Sequence, residues 1–143
     1  MIRHLVSHIA AFLMLNAFSV AYAHDYPVDI TRWVDADTFD GTVDLGVDLL
    51  MPGRFRVMCI NAPESRGRHA SDAGKAMSDQ VTALGIVFGT VEIVERDVFG
   101  RWLVYLSVPD WEVTFNKYLY DRGAPLYSRL TRAEKAECLR RLE

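Results

Sequence analysis

Five short segments of β-type patterning, with one helical segment set between the third and the fourth, restrict this chain more than any other feature of it. Val28 to Val34 and Thr38 to Leu45 read as the first two strands, the second carrying Phe39, Val43 and Leu45 at period two. After the turn residues Met51-Pro52-Gly53 comes Arg54 to Ile60, with Phe55, Val57 and Cys59 on one face and Arg54, Arg56 and Met58 on the other. Ser71 offers an N-cap to a helix whose Ala73, Ala76, Met77, Val81 and Leu84 repeat at helical spacing, and Gly85 stops it. Val91 to Glu95 and Trp102 to Val108 are two further β runs across the turn Asp97-Val98-Phe99-Gly100. Phe115, Tyr118 and Leu119 before Gly123 predict a short helix, and Thr131-Arg132-Ala133-Glu134 is a capping box that opens the last one. The pattern predicts an α+β chain with the plan of a five-stranded OB-fold β-barrel, a helix between strands 3 and 4 and C-terminal helices.

Residues 1–23 follow other rules. Arg3 precedes the apolar run Ile9 to Leu15, and small residues close on Ala21-Tyr22-Ala23, which predicts a secretory signal peptide. The run is well short of the roughly 20 residues that span a bilayer, so an N-terminal anchor is the lesser alternative. Residues 24–143 then form one domain, placed outside the cell or in the periplasm, with no membrane attachment after cleavage. Within it only Cys59 and Cys138 carry thiols, and their spacing excludes a structural zinc site. Cys59 falls on the apolar face of the third strand, which favours a buried free thiol, with a bridge to Cys138 as the alternative.

A formal charge of −3, from 16 basic and 19 acidic residues, gives no general attraction for polyanions, so any nucleic-acid site must be a local cluster. Three clusters qualify. Asp35-Ala36-Asp37-Thr38 joins the first two strands, where short acidic side chains either cap a turn or offer oxygen to a hard cation. The segment Arg56 to Glu64 is a strand with an exposed arginine that ends in the amide of Asn61 and the carboxylate of Glu64. Asp97-Val98-Phe99-Gly100-Arg101 is a turn that sets an aromatic ring beside an arginine. Each has a plain structural reading as turn, solvated strand or hairpin. Together they are the parts needed to cleave a phosphodiester: guanidinium forks for phosphate, a carboxylate to activate water, and a ring to stack on a base. A hydrolase with a Ser or Cys nucleophile is excluded by inventory, since residues 24–143 hold only His24 and His69 and no G-x-S-x-G. Gly74-Lys75 is followed by Ala76 and does not make a P-loop.

The motifs D-A-D-T-F, R-V-M-C-I-N-A-P-E and D-V-F-G-R, in this order and at these separations, resemble those of the staphylococcal nuclease (thermonuclease) family over about Val28 to Tyr127. Asn116, Leu119 and Gly123 also fall where that family has them. The resemblance implies a calcium-dependent nuclease that cuts DNA or RNA with little sequence preference and leaves 3′-phosphate ends. It assigns Asp37 to calcium ligation, Arg56 and Arg101 to phosphate, and Glu64 to the general base. Phe99 stands where the family often has a base-packing tyrosine, and Tyr127 lies near another nucleotide-contacting tyrosine. Asn61 replaces the family's second calcium-binding aspartate, and the neighbouring carbonyl ligand would come from Ala62. An asparagine keeps an oxygen donor but removes a charge, which implies weaker calcium binding. The implied protein is a monomer acting on nucleic acid. A non-catalytic OB-fold binding module is the competing expectation, disfavoured by a retained carboxylate at Glu64 that repels phosphate.

Overall fold

The computed structural model describes residues 24–143, so the expected signal peptide lies outside the described residues. The strands are β1 (Asp25–Asp35), β2 (Thr38–Asp44), β3 (Leu50–Val57), β4 (Phe88–Arg96) and β5 (Trp102–Ser107). They close into a barrel in the order β1-β2-β3-β5-β4, with β1 also paired to β4. Every pairing is antiparallel except β3 with β5, which is joined over Phe55–Trp102 to Val57–Val104. Helix α1 (Asp72–Ala83) lies between β3 and β4, and α2 (Phe115–Asp121) and α3 (Arg132–Leu142) follow β5. This is the α+β, OB-like barrel that the element order predicts. Among the described residues no helix is long and apolar enough to cross a membrane.

Period two determines which side chains fill the barrel. Val28, Phe39, Val43, Phe55, Val57, Val91, Val104 and Leu106 are all essentially inaccessible to solvent, and the Phe39 and Phe55 rings stack with centroids 5.3 Å apart. Helix α2 closes one side of the barrel through Phe115, Asn116 and Leu119. The Asn116 amide donates to the carbonyls of Met58 (3.0 Å) and Val104 (3.1 Å), and its Oδ1 accepts from Leu106 N (3.0 Å). One buried side chain therefore satisfies backbone groups where β3 ends beside β5, groups that would be costly to leave unpaired.

Two features differ from the sequence expectation. Met51-Pro52-Gly53 is strand rather than turn, because the reversal comes earlier, at Gly46, Val47 and Asp48, all with positive φ. Pro52 is tolerated there because it pairs with Thr42 of β2 while β5 reaches β3 only from Phe55 onward, leaving its other side an open edge. The third strand also ends at Val57 instead of Ile60: Cys59 takes φ 72°, and Ile60 makes an isolated bridge to Leu126. The expectation of a buried free thiol is overturned outright. Cys59 is bridged to Cys138 across 79 residues, and no cysteine is free. Both are buried, as the apolar face required, but α3 brings the second thiol to the same place. Closing so long a loop constrains the unfolded chain by roughly 4–5 kcal/mol in the chain-entropy account.

On the outside of the barrel, Asp40 of β2 holds Arg32 of β1 at 2.7 Å and Arg54 of β3 at 2.7 Å. The hydrogen bond from Arg54 leads in lowering the Asp40 carboxyl to about 2, with Arg32 adding to it. A carboxyl lowered in the folded state stabilises the fold above its unfolded value of 3.8, and that contribution is lost as the pH falls through about 2. Asp40→Asn should therefore flatten acid unfolding between those two values, and at pH 7 it should cost under about 1 kcal/mol because the pairs are solvent-exposed. Urea midpoints measured across that pH range check it.

Candidate active site

The site begins with irregularities in β1. Register shifts between Ile30 and Arg32 and between Trp33 and Asp35 twist the strand end, and the following two-residue turn directs Asp37 inward. Asp37 is only 3% exposed. Its Oδ1 accepts from Thr38 Oγ1 (2.8 Å), and its Oδ2 accepts from Ala62 N (2.8 Å) and Arg56 Nη2 (3.2 Å). Burial nevertheless raises its pKa, outweighing the lowering by Arg56, Thr38 and Ala62, and Asp35 raises it further.

Arg56 reaches this carboxylate from β3, and the same Nη2 donates to Asn61 Oδ1 at 2.8 Å. Its guanidinium carbon lies 5.3 Å from the centroid of the Tyr127 ring. Asn61 is placed by the turn at Cys59 and by its own N–H, which donates to the Pro125 carbonyl at 2.8 Å. Asp37, Arg56, Asn61 and Ala62 are thus brought together as one hydrogen-bonded group.

Glu64 stands beside that group on the loop leading to α1. Its backbone carbonyl accepts from Ser71 N at 3.0 Å, and the first turn of α1 packs onto it. Gly74 makes that packing possible: a Cβ there would sit 2.1 Å from the Glu64 carbonyl oxygen. Sequence reasoning tested Gly74 only as part of a P-loop, although a glycine in a helix's first turn is a signal of close approach. The Glu64 carboxyl is raised above its ordinary value by burial, then by Asp35 and Asp37, with Arg56 opposing.

Arg101 and Phe99 come from the β4–β5 turn. Asp97 holds the turn by accepting from Phe99 N (2.9 Å) and Arg101 N (3.0 Å) on Oδ1, and from Arg101 Nε (2.7 Å) on Oδ2. The Phe99 ring is 80% exposed, with the Arg101 guanidinium 5.2 Å from its centroid. Arg56, Asn61, Phe99, Arg101 and Tyr127 line one open groove of about 490 Å³. Asp37, Ala62 and Glu64 are not among its lining residues and lie behind or beside it. Tyr127 has a different posture from a free stacking ring: its Oη donates to the Val57 carbonyl at 3.0 Å and its N–H to the Cys59 carbonyl at 3.0 Å. It packs against Arg56 as part of the wall. Arg129, also on the groove, sits in no pattern that marks it, and the clamping role of Asp97 was not foreseen although Asp97 opens the turn motif that the sequence singles out.

The donor set suits a hard cation in kind. Asp35 raises the pKa of Asp37, and Asp35 and Asp37 together raise that of Glu64, so negative charge is crowded, and the buried Ser65 Oγ beside them has no hydrogen-bond partner. Asp37, the Asn61 amide oxygen and the Ala62 carbonyl would supply oxygen ligands. Among the described residues no group of three or more His, Cys, Asp or Glu is arranged to hold a metal ion, so such a site would depend on neutral oxygens as well. Compared with protein-family models and with curated proteins, the chain matches none.

The crowding can be measured directly. In metal-free protein the Glu64 carboxyl should titrate above its ordinary value of 4.5, and Asp35→Asn should lower that midpoint by removing the larger of its two carboxylate repulsions. Carbon-13 NMR of the glutamate carboxyls is the measurement. A Glu64 midpoint at or below 4.5, unmoved by Asp35→Asn, would contradict the arrangement.

Proposed function

We propose that the chain is an exported, calcium-dependent nuclease that hydrolyses phosphodiester bonds of DNA or RNA as a monomer, in the manner of the staphylococcal nuclease family. The observation that carries this reading is the meeting of Arg56 and Arg101, 45 positions apart in sequence, on one groove with an exposed aromatic ring and with Glu64 alongside.

The roles follow from the donors each side chain has left. Arg101 uses Nε on Asp97, so its two terminal nitrogens present a fork to phosphate oxygens. Arg56, braced by Asp37, Asn61 and Tyr127, offers its remaining N–H groups to the same phosphate. Glu64 as a carboxylate takes a proton from water as that water attacks phosphorus in line. The P–O5′ bond breaks and O5′ takes a proton from solvent water, leaving a 3′-phosphate and a 5′-hydroxyl. The arginines stabilise charge that grows on the equatorial oxygens, which is where preorganised donors contribute most. Calcium, when bound near Asp37, Asn61 and Ala62, supplies Lewis-acid neutralisation of that charge. Phe99 offers a face on which an unpaired base stacks.

The decisive experiment is incubation of the purified protein with single-stranded DNA, first with calcium and then with chelator. Cleavage abolished by the chelator supports the reading; binding without cleavage would make the chain a non-catalytic OB-fold module. Glu64→Gln should lower kcat by about 10²–10⁴-fold with substrate binding retained, since the amide keeps shape but cannot accept the proton. Arg101→Lys should also be a poor enzyme, because an ammonium cannot reproduce the two-point contact. Wild-type rates in either variant would remove that residue from the mechanism. Asn61→Asp adds a charge to the oxygen set, so the calcium concentration for half-maximal activity should fall. An unchanged midpoint in a calcium titration would place the ion elsewhere.

A further inference from the structure

We infer that the Cys59–Cys138 bridge is a positioning device for the groove, fixing the turn through which Arg56 and Asn61 reach each other. Cys59 is the pivot of that turn. It follows the end of β3 by two residues and takes φ 72°, a left-handed backbone that glycine adopts freely and other L-residues avoid. Arg56 lies three positions before it and Asn61 two after, and the two side chains meet at 2.8 Å only because the chain reverses between them.

The bridge anchors this pivot from outside the barrel. Cys138 is buried on α3, and α3 is held to β4 by the Arg141–Glu92 ion pair and to β5 by Arg141 lying 4.0 Å from the centroid of the Tyr105 ring. Tyr105 Oη is 3.2 Å from Cys59 Sγ, so the sulfur touches β5 as well as the helix it is bridged to. The Cys59 carbonyl meanwhile accepts from Tyr127 N, which connects the pivot to the ring packed on Arg56. A cysteine at a left-handed position, bridged to a helix that contributes nothing else to the Arg56–Asn61 contact, is poorly explained by stability alone. Stability would be served as well by a bridge at any regular strand position.

Formation of the bridge removes two thiol protons and two electrons, which pass by thiol–disulfide exchange to the disulfide of an exchange partner that leaves as a dithiol. The chain therefore reaches its working geometry only where such an oxidant is present. In a reducing compartment the barrel folds with Arg56 and Asn61 unfixed.

The test uses two variants of the purified protein. Cys138→Ala removes the bridge and leaves a cysteine at the strained position. Cys59→Gly combined with Cys138→Ala also removes the bridge but supplies the residue that suits φ 72°. At a temperature where circular dichroism shows both folded, Cys138→Ala should lose about tenfold or more in kcat on single-stranded DNA, with KM changed far less, because misplacement by about an ångström is felt mainly in the transition state. The double variant should recover most of kcat while its thermal midpoint stays as low as that of Cys138→Ala. Recovery of rate without recovery of stability is what a merely stabilising bridge would not produce.

Wild-type kcat in Cys138→Ala, or a double variant no faster than Cys138→Ala, would overturn the inference. The kinetic arm rests on the nuclease reading, so a second readout is independent of it: the Asn61 side-chain amide signals in proton–nitrogen NMR. These should shift in Cys138→Ala and return in the double variant. If the wild type cleaves nothing, the nuclease reading fails by itself, and unmoved Asn61 signals would separately overturn the positioning role.

Discussion

A carboxylate buried beneath an arginine organises this molecule. Taking an ionised carboxyl out of water is expensive unless its oxygens are hydrogen-bonded and a countercharge is close. Asp37 meets both conditions by drawing in groups from three parts of the chain: Thr38 at the start of β2, Arg56 near the end of β3, and the Ala62 amide beyond it. Each contact constrains the others. The β1–β2 connection cannot move without stripping the Arg56 guanidinium of its partner, and the loop carrying Asn61 and Glu64 cannot swing without exposing the Asp37 oxygen. The compensation is incomplete, since burial still raises the Asp37 pKa. That residual tension is concentrated where Asp35 and Asp37 also raise the Glu64 carboxyl.

Sequence pattern gave access to the parts of the fold that obey a period. Phe39 and Val43, and Phe55 and Val57, alternate with polar residues, and a barrel interior accepts only one face of each strand. The Thr131 capping box and the Ser71 cap were equally readable, because a cap is a local contract between neighbours in sequence. What escaped was set by partners distant in the chain. Nothing near Pro52 reveals that β5 stops short of it and leaves an edge. Nothing near Cys59 reveals that α3 returns to it after 79 residues.

The candidate site divides in the same way. Residue types and spacing were enough to single out Asp37, Arg56, Asn61, Glu64, Phe99 and Arg101, and Arg56, Asn61, Phe99 and Arg101 share one groove. Posture was not readable. Tyr127, expected near a nucleotide, lines the same groove with its hydroxyl on the Val57 carbonyl and its ring against Arg56. A tyrosine carries an apolar body and a polar tip, so whether it stacks on a ligand or braces a neighbour depends on which acceptor the fold puts within reach. Gly74 escaped for a related reason: its importance lies in the Cβ it lacks, against a backbone ten residues earlier.

The pairing of cations has a consequence for how a polyanion would be held. Arg56 is matched by Asp37, Arg101 by Asp97, and Arg32 and Arg54 share Asp40, in a chain whose formal charge is already −3. These four arginines leave little unbalanced positive field of their own to attract nucleic acid from a distance, and what there is would be screened beyond about 8 Å at physiological salt. On the proposed reading, affinity must then come from contacts made at close range: guanidinium forks already fixed in direction by their carboxylates, and a base laid on Phe99. Such contacts favour a charge distribution over mere charge. On the same reading, because the carboxylates hold the forks rigid before any phosphate arrives, they would suit the phosphorus centre best when its equatorial oxygens carry the most charge, which is during reaction and not before it.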